Sequence, residues 1–315
     1  MKKYRFPLWV CFMVSWLAGT LWMRAVEAAA TPAEVRIPGA ESFVYKTVNG
    51  VNLRLFVWKP QAIPAAEKRS AIVFFHGGGW SGGNPVQYQP QALYFAHRGM
   101  VVISVQYRLY PQVKVTGCLT DTKSAIRWVR THAQQLGIDP QRITACGDSA
   151  GGHLVAAAGI IDGYEESGED LAISSRPDAM VLFNPGVLLA AFQGQDFPRL
   201  ANQTPQALQE RLGVEPELLS PIHHIQKGNP PTILMHGTID TVVPFGTAVL
   251  FAEQMQKLGN RCDLVPYPER NHTFFDYNST REDFISTVKE MDKFLCSLGY
   301  LNGAADIEQM IKKTR

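Results

Sequence analysis

Residues 143–152 read ITACGDSAGG: a short apolar run, the pattern Gly-x-Ser-x-Gly, and the start of an apolar segment. The run predicts a buried strand, and the segment after it predicts a helix. The chain must turn sharply between them, so Gly147 and Gly151 stand where side chains would collide. Such a turn holds Ser149 in a strained conformation with its hydroxyl exposed, beside a helix N-terminus that favours developing negative charge. The stretch therefore predicts an α/β fold with Ser149 as nucleophile.

Strand-like and helix-like segments alternate on both sides of this turn. The predicted strands are Phe43–Val48, Val51–Trp58, Ala71–Phe75, Met100–Val105, Ile143–Cys146, Ala179–Phe183, Thr232–Met235 and Asp263–Tyr267. The predicted helices are Thr120–Leu136, Ser149–Ile160, Gly246–Leu258 and Arg281–Leu298. Strands joined through helices run parallel, and such a sheet is covered by helices on both faces. We therefore expect a mostly parallel central sheet.

Local signals refine this plan at two places. Asn49-Gly50 lies between the first two strands and is the strongest short hairpin signal, so we expect an antiparallel pair at one edge. Thr120 or Asp121 is the expected N-cap of the first helix, and Gly137 is expected to end it. Residues 186–230 break the alternation, with proline and glutamine among short helical pieces. We expect that insertion to form a cap or lid over the strand ends.

A glycine-rich motif, HGGGW at residues 76–80, directly follows the strand at Ala71–Phe75. Acyl transfer passes through a tetrahedral oxyanion, which needs backbone N–H donors without side-chain obstruction. We expect the N–H groups of Gly78, Gly79 and Ala150 to form this oxyanion hole. Gly77, the first glycine of the motif, is the alternative donor. His76 is expected to orient the loop.

A serine hydroxyl needs a base to activate it and an acid to orient that base. The histidines after Ser149 are His153, His223, His224, His236 and His272. His272 lies in the loop between the last strand and the last helix, from which it can reach Ser149. It is the predicted base, whereas His236 is expected to support the acid loop.

The predicted acid is Asp240, which follows a strand end and precedes His272 in the chain. The competing carboxylates are Asp148, Glu269 and Asp276. Asp148 adjoins the nucleophile and would point away from a base on another loop. Glu269 and Asp276 are too near His272 in sequence to reach its far ring nitrogen easily. The predicted catalytic residues are therefore Ser149, Asp240 and His272.

The N-terminal sequence has the order of a secretory signal peptide. Met1–Arg5 is basic, Leu8–Met23 is an apolar run of about 16 residues, and residues 28–30 are alanines. We expect cleavage after Ala30 and a secreted or periplasmic catalytic domain at residues 31–315. The alternative is an uncleaved anchor, although the run is short for a bilayer span.

Charge and cysteine content exclude several classes of partner and cofactor. The formal net charge of +2 becomes −1 when the first 30 residues, which carry a net +3, are left out. A near-neutral body gives no electrostatic reason to expect nucleic acid or an anionic membrane. The cysteines beyond the leader are Cys118, Cys146, Cys262 and Cys296. Their spacing fits no zinc motif, so we expect no metal site. Cys146 is interpreted as a buried free thiol. Cys262–Cys296 is one candidate disulfide.

Four segments together resemble the α/β-hydrolase superfamily, specifically the carboxylesterases similar to hormone-sensitive lipase. They are HGGGW at 76–80, GDSAGG at 147–152, HGTIDTVVP at 236–244 and NHTFF at 271–275. The resemblance runs from about Phe43 to Leu298 and is strongest to secreted bacterial esterases of the lipase-like or acetyl-xylan-esterase-like kind. It implies a serine ester hydrolase that works through an acyl-enzyme without a cofactor. Members with a large N-terminal cap have many more residues before the first strand, so a small cap built mainly from 186–230 is expected.

The substrate expectation is a short-chain acyl ester, notably an acetyl ester of a carbohydrate. Trp80 and Tyr88, together with Tyr94, lie near the glycine-rich motif and are expected to form an aromatic wall for a sugar ring. The alternatives are a lipase-like esterase for longer acyl chains, an amidase or peptidase, and a non-catalytic binding protein of the same fold.

Overall fold

An eight-stranded sheet has the order β1-β2-β4-β3-β5-β6-β7-β8 in the computed structural model, which describes residues 35–60, 68–195 and 204–313. The strands are β1 Glu41–Val48, β2 Val51–Trp58, β3 Arg69–Phe75, β4 Val101–Val105, β5 Ile138–Asp148, β6 Ala179–Phe183, β7 Thr232–Gly237 and β8 Cys262–Tyr267. β1 pairs antiparallel with β2, and β2 pairs antiparallel with β4. The pairs from β4 through β8 are parallel, which confirms the mostly parallel sheet.

The helices of the described residues are α1 Gln89–His97, α2 Val115–Thr131, α3 Ala133–Leu136, α4 Ser149–Ile160, α5 Pro205–Leu212, α6 Phe245–Lys257, α7 Arg281–Ser297 and α8 Ile307–Lys313. Short 3₁₀ turns lie at Pro85–Tyr88, Pro216–Leu219 and Pro221–His224. α4 has the bounds that the sequence predicts, and α3 ends at Gly137, whose φ of 70° suits glycine. α1 and α8 were not predicted. None of the described helices is long and apolar enough to cross a membrane.

The central strands form the core because helices cover them. Every residue of β4, β6 and β7 is buried, as the unbroken apolar runs of a parallel sheet require. Parallel strands also direct their carboxyl ends to one edge, so β3, β5 and β7 present the loops that follow them together. This edge carries three of the four motif segments that the sequence singled out, and the fourth, at 271–275, follows β8.

The start of α2 differs from the prediction, which placed the N-cap at Thr120 or Asp121. The helix begins at Val115, with Lys114 in the cap position. Asp121 lies inside the helix, is fully buried, and accepts a hydrogen bond from the Lys46 ammonium at 2.7 Å. The N-cap prediction was wrong because this carboxylate compensates a buried cation instead of capping a helix end.

The candidate disulfide is also wrong. Cys262 is a buried free thiol in β8, and Cys296 in α7 is a free thiol that donates towards Asp292 Oδ1 at 3.4 Å. Cys118 and Cys146 are likewise free and buried. The prediction for Cys146 is therefore confirmed, and burial raises the pKa of its thiol well above the usual value.

The described parts of the 186–230 insertion pack into the main hydrophobic core. The residues that do so include Val187, Leu189, Leu208, Leu212 and Leu219. The insertion also contacts the glycine-rich loop, because Arg211 donates a hydrogen bond to the carbonyl oxygen of Gly79. The predicted signal peptide at 1–30 lies outside the described residues, as does the part of the insertion between 196 and 203.

Candidate active site

The turn between β5 and α4 presents the predicted nucleophile. Ser149 has φ of 49°, a conformation that side-chain-bearing residues rarely adopt. The turn is tight enough to exclude side chains nearby: a Cβ added to Gly151 would lie 2.1 Å from Phe75 O, and one added to Gly147 would lie 2.5 Å from Gly151 C. Gly147 thus lets the turn close on itself, and Gly151 lets this turn, the nucleophile elbow, pack against the end of β3, where the glycine-rich loop begins.

The structure brings the three predicted catalytic residues into one hydrogen-bonded chain. His272 Nε2 lies 2.8 Å from Ser149 Oγ, and His272 Nδ1 lies 2.7 Å from Asp240 Oδ2. An ionised carboxylate can only accept, so Nδ1 carries the ring proton and donates it to Asp240. Nε2 is then unprotonated and accepts from the serine hydroxyl. This is the arrangement required of a base that activates a nucleophile.

Asp240 is held as an anion by several donors. Its Oδ1 accepts from the backbone N–H groups of Val242 at 2.8 Å and Val243 at 2.9 Å. Its Oδ2 lies 3.2 Å from His236 Nε2 as well as 2.7 Å from His272. Burial alone would raise the pKa of Asp240, but the hydrogen bonds from His236 and His272 outweigh it and hold that pKa well below its usual range. The carboxylate therefore stays ionised through the neutral range.

Two buried histidines near the site are neutral and play no part as bases. Burial lowers the pKa of His76 to about 4 and that of His153 to about 4. His153 Nε2 donates to Leu219 O at 2.8 Å, while its Nδ1 accepts from Trp80 Nε1 at 3.3 Å. His76 stacks on Tyr107, whose hydroxyl donates to His76 O at 2.6 Å. Both rings support the loops around the nucleophile.

The backbone of the glycine-rich loop lies in a conformation that glycine favours. Gly78, Gly79 and Trp80 have φ of 113°, 60° and 59°, three consecutive values on the left-handed side. A Cβ at Gly78 would lie 2.4 Å from Gly82 O, so only glycine fits there. The N–H of Gly77 donates to Asp148 Oδ1 at 2.8 Å. Because that donor is occupied, the alternative role for Gly77 is not supported, and Gly78 and Gly79 remain the candidates beside Ala150.

Asp148 is the residue of the site whose role the sequence reasoning missed. The Oδ1 of this buried side chain accepts from Gly77 N at 2.8 Å, Gln87 Nε2 at 3.1 Å and Tyr88 Oη at 2.7 Å. Burial raises the pKa of Asp148, although these hydrogen bonds act in the opposite direction. The carboxylate ties the glycine-rich loop to the elbow. Its position next to Ser149 was the available signal, but that position suggested only a competing triad acid.

The expected aromatic wall is corrected by the structure. Tyr88 is 0% exposed, stacks on Phe74 with ring centroids 4.6 Å apart, and donates its hydroxyl hydrogen to Asp148. Trp80 is 3% exposed and donates through Nε1 to His153. Tyr94 is also 0% exposed. None offers a ring face to a ligand, so Trp80 and Tyr88 are packing residues and not the substrate-binding residues that we expected.

The described residues contain no group of three or more His, Cys, Asp or Glu side chains that could hold a metal ion. The groups that meet at the site are the Ser149 hydroxyl, the His272 imidazole and the Asp240 carboxylate. Fold and site together define an α/β-hydrolase with the site of a serine hydrolase.

A protein-family model described as BD-FAE matches residues 59–255, and the chain belongs to this family. The resemblance to carboxylesterases that the motifs carry is confirmed by the comparisons, because curated relatives and similar solved structures are named as esterases. A solved structure of Thermogutta terrifontis esterase 2, phosphonylated by sarin, has a TM-score of 0.82 and 47% identity; the match covers 86% of this chain and 99% of that one. The butyrate-bound form has a TM-score of 0.79 and 48% identity, with 84% and 97% covered.

Curated relatives are more distant and longer. The probable isoprenylcysteine alpha-carbonyl methylesterase ICMEL1 of Arabidopsis thaliana is 30% identical, with 65% of this chain and 45% of the relative covered. Esterase LipC of Mycobacterium tuberculosis is 27% identical, with 70% and 56% covered. The chain thus spans about half the length of these curated relatives.

Proposed function

We propose that the protein is a carboxylesterase that hydrolyses short-chain acyl esters through an acyl-enzyme. The observation that carries this proposal is the hydrogen-bonded chain from Asp240 through His272 to Ser149, with contacts of 2.7 and 2.8 Å. The nucleophile, base and acid lie within the distances at which each can act on the next. The glycine-rich loop adjoins the same hydroxyl because Asp148 joins it to the elbow.

The proposed reaction moves one proton at each stage through His272. Ser149 Oγ attacks the ester carbonyl carbon while Nε2 takes the hydroxyl proton, and the carbonyl oxygen becomes an oxyanion that the N–H groups of Gly78, Gly79 and Ala150 stabilise. The intermediate collapses, the C–O bond to the alcohol breaks, and Nε2 returns the proton to the leaving alcohol. Water then repeats the sequence on the acyl-enzyme and releases the acid. Asp240 stays ionised and stabilises the imidazolium form.

The acyl half of the substrate is proposed to be short. Support comes from the Thermogutta terrifontis esterase, whose solved structures include propionate-bound and butyrate-bound forms at 47% and 48% identity. For the alcohol half we propose a carbohydrate, so that an acetylated sugar is the natural class. Because Trp80 and Tyr88 are buried, they do not support this proposal, which rests on the resemblance of the four motif segments to secreted esterases of the acetyl-xylan-esterase kind.

An acyl-length series tests this proposal. We expect residues 31–315 to hydrolyse p-nitrophenyl acetate and butyrate with higher kcat/KM than the octanoate and palmitate esters. Acetylated xylan oligomers and a simple alkyl acetate are then compared at equal acetyl concentration. A preference for octanoate or longer would support the lipase-like alternative, and absence of any ester hydrolysis by folded protein would contradict the proposal altogether.

The protein is also proposed to be secreted or periplasmic. The support is the order of a basic start, an apolar run and three alanines in the first 30 residues. Expression of the full chain in a bacterium and N-terminal sequencing of the exported protein should give Thr31 as the first residue. An intact N-terminus in the membrane fraction would support an uncleaved anchor instead.

A further inference from the structure

A side chain of the insertion reaches the glycine-rich loop. Arg211 lies near the end of α5, and its Nη1 donates to Gly79 O at 3.2 Å. The guanidinium also lies over the ring of Tyr110, with Cζ 5.1 Å from the ring centroid. α5 itself is seated by Leu208 and Leu212, which are buried in the main core. The arginine is therefore held from two sides when α5 is packed on the body.

The carbonyl that Arg211 binds differs from its neighbours in the loop. Gly78 O accepts from the backbone N–H of Gly82 at 2.9 Å, and Trp80 O accepts from the backbone N–H of Tyr110 at 2.7 Å. Gly79 O, between them, receives a hydrogen bond from a side chain that comes from a different segment. The orientation of the peptide between Gly79 and Trp80 thus depends on the insertion.

That peptide joins two residues in the left-handed region. Gly79 adopts φ of 60° readily, but Trp80 at 59° is a bulky residue in a conformation that persists only where its surroundings impose it. The hydrogen bond from Arg211 acts on the carbonyl of this peptide, so it limits rotation about ψ of Gly79 and φ of Trp80. Rotation there would turn the Gly79 carbonyl and the Trp80 N–H, and it would change the path of the loop that also carries Gly79 N–H.

Charge pairing does not account for the position of Arg211. Within the part of the chain that the structure describes, its guanidinium makes no ion pair; the adjacent Glu210 lies 3.7 Å from Lys114 instead. Lys114 is the second cation over Tyr110, with Nζ 5.6 Å from the ring centroid. The two cations therefore share one aromatic ring, but only Arg211 contacts the loop that carries the oxyanion donors.

We propose that Arg211 is a positioning residue: by holding the Gly79–Trp80 peptide it fixes the path of the glycine-rich loop, whose Gly78 and Gly79 N–H groups stabilise the developing oxyanion in the proposed reaction. The inference rests on the proposed function, because it assigns a part in that same reaction. It also makes the insertion contribute to the rate: the loop is complete only when α5 is packed in place. Arg211 does not touch the substrate and acts through Gly79.

The test uses Arg211→Ala and Arg211→Lys, with Lys114→Met as the matched control. Removing one oxyanion donor outright typically lowers kcat by about 10²–10³-fold. Loss of the Arg211 hydrogen bond leaves the donors present but the loop less firmly held, so it should lower kcat by roughly 10-fold. We expect this fall in kcat for p-nitrophenyl acetate with little change in KM. Arg211→Lys should recover part of the loss, because the ammonium can donate to the same carbonyl. Lys114→Met should keep the wild-type kcat, because it leaves the bond to Gly79 in place.

Chemical rescue separates positioning from general stability. Guanidinium chloride at low millimolar concentration should restore part of the kcat of Arg211→Ala and leave that of the wild type unchanged. An Arg211→Ala variant with wild-type kcat, or one whose loss follows its lowered Tm without rescue, would overturn the inference. If the wild type itself hydrolyses no ester, the proposed function fails and this inference falls with it. The two failures are thus distinguishable by the wild-type assay.

Discussion

Ser149→Ala is expected to lower kcat for p-nitrophenyl acetate by about 10⁴-fold or more, while the protein stays folded. The hydroxyl is the only group removed, and His272 Nε2, 2.8 Å from it, loses the group that it activates. Alanine meets the same backbone strain at φ of 49° as serine does, so the elbow should keep its shape. The loss should therefore appear in kcat and not in Tm.

Covalent labelling supplies a second readout for this variant. An organophosphonate should add to Ser149 of the wild type, because a serine hydroxyl that His272 activates can attack phosphorus and displace its leaving group. Mass spectrometry should find the adduct on the peptide that contains Ser149, and Ser149→Ala should stay unlabelled. Ser42→Ala, at an exposed position of β1, is the matched control and should behave as wild type. An adduct on another serine would contradict the assignment of the nucleophile.

Asp240→Asn is expected to lower kcat by roughly 10⁴-fold at neutral pH. The asparagine oxygen can still accept from Val242 N and Val243 N, so the loop should keep its fold. The amide, however, presents an N–H₂ group or a weaker acceptor to His272 Nδ1, in place of the carboxylate now 2.7 Å away. The imidazole can then carry its proton on Nε2, where it cannot take one from Ser149.

The control for this variant is Asp263→Asn in β8. That carboxylate pairs with Arg261 and its side chain is 41% exposed, so its neutralisation should leave kcat unchanged. Kinetics with p-nitrophenyl acetate and a thermal melt of both variants complete the measurement. If Asp240→Asn lost less than tenfold in kcat, another carboxylate would have to orient the base, and Glu269 and Asp276 would be the candidates to replace next.

Local signals explain why so much of the sheet could be predicted. The hairpin at Asn49-Gly50, the apolar runs of the central strands and the bounds of α4 all depend on residues within one element. The acid and the base could be located because parallel strands present their following loops at one edge. The errors came where a distant partner decides the outcome: Asp121 could cap a helix, but in the fold it binds Lys46.

The sequence by itself determined the class of fold, the nucleophile turn and the order in which nucleophile, acid and base follow along the chain. Each depends on strand and helix periodicity, glycine at positions without room for a side chain, and loop position. Only the tertiary structure decided that Trp80 and Tyr88 are buried, that Asp148 ties the glycine-rich loop to the elbow, and that Arg211 reaches Gly79 from the insertion. These contacts join residues far apart in the chain, and no local pattern encodes which side chain packs against which.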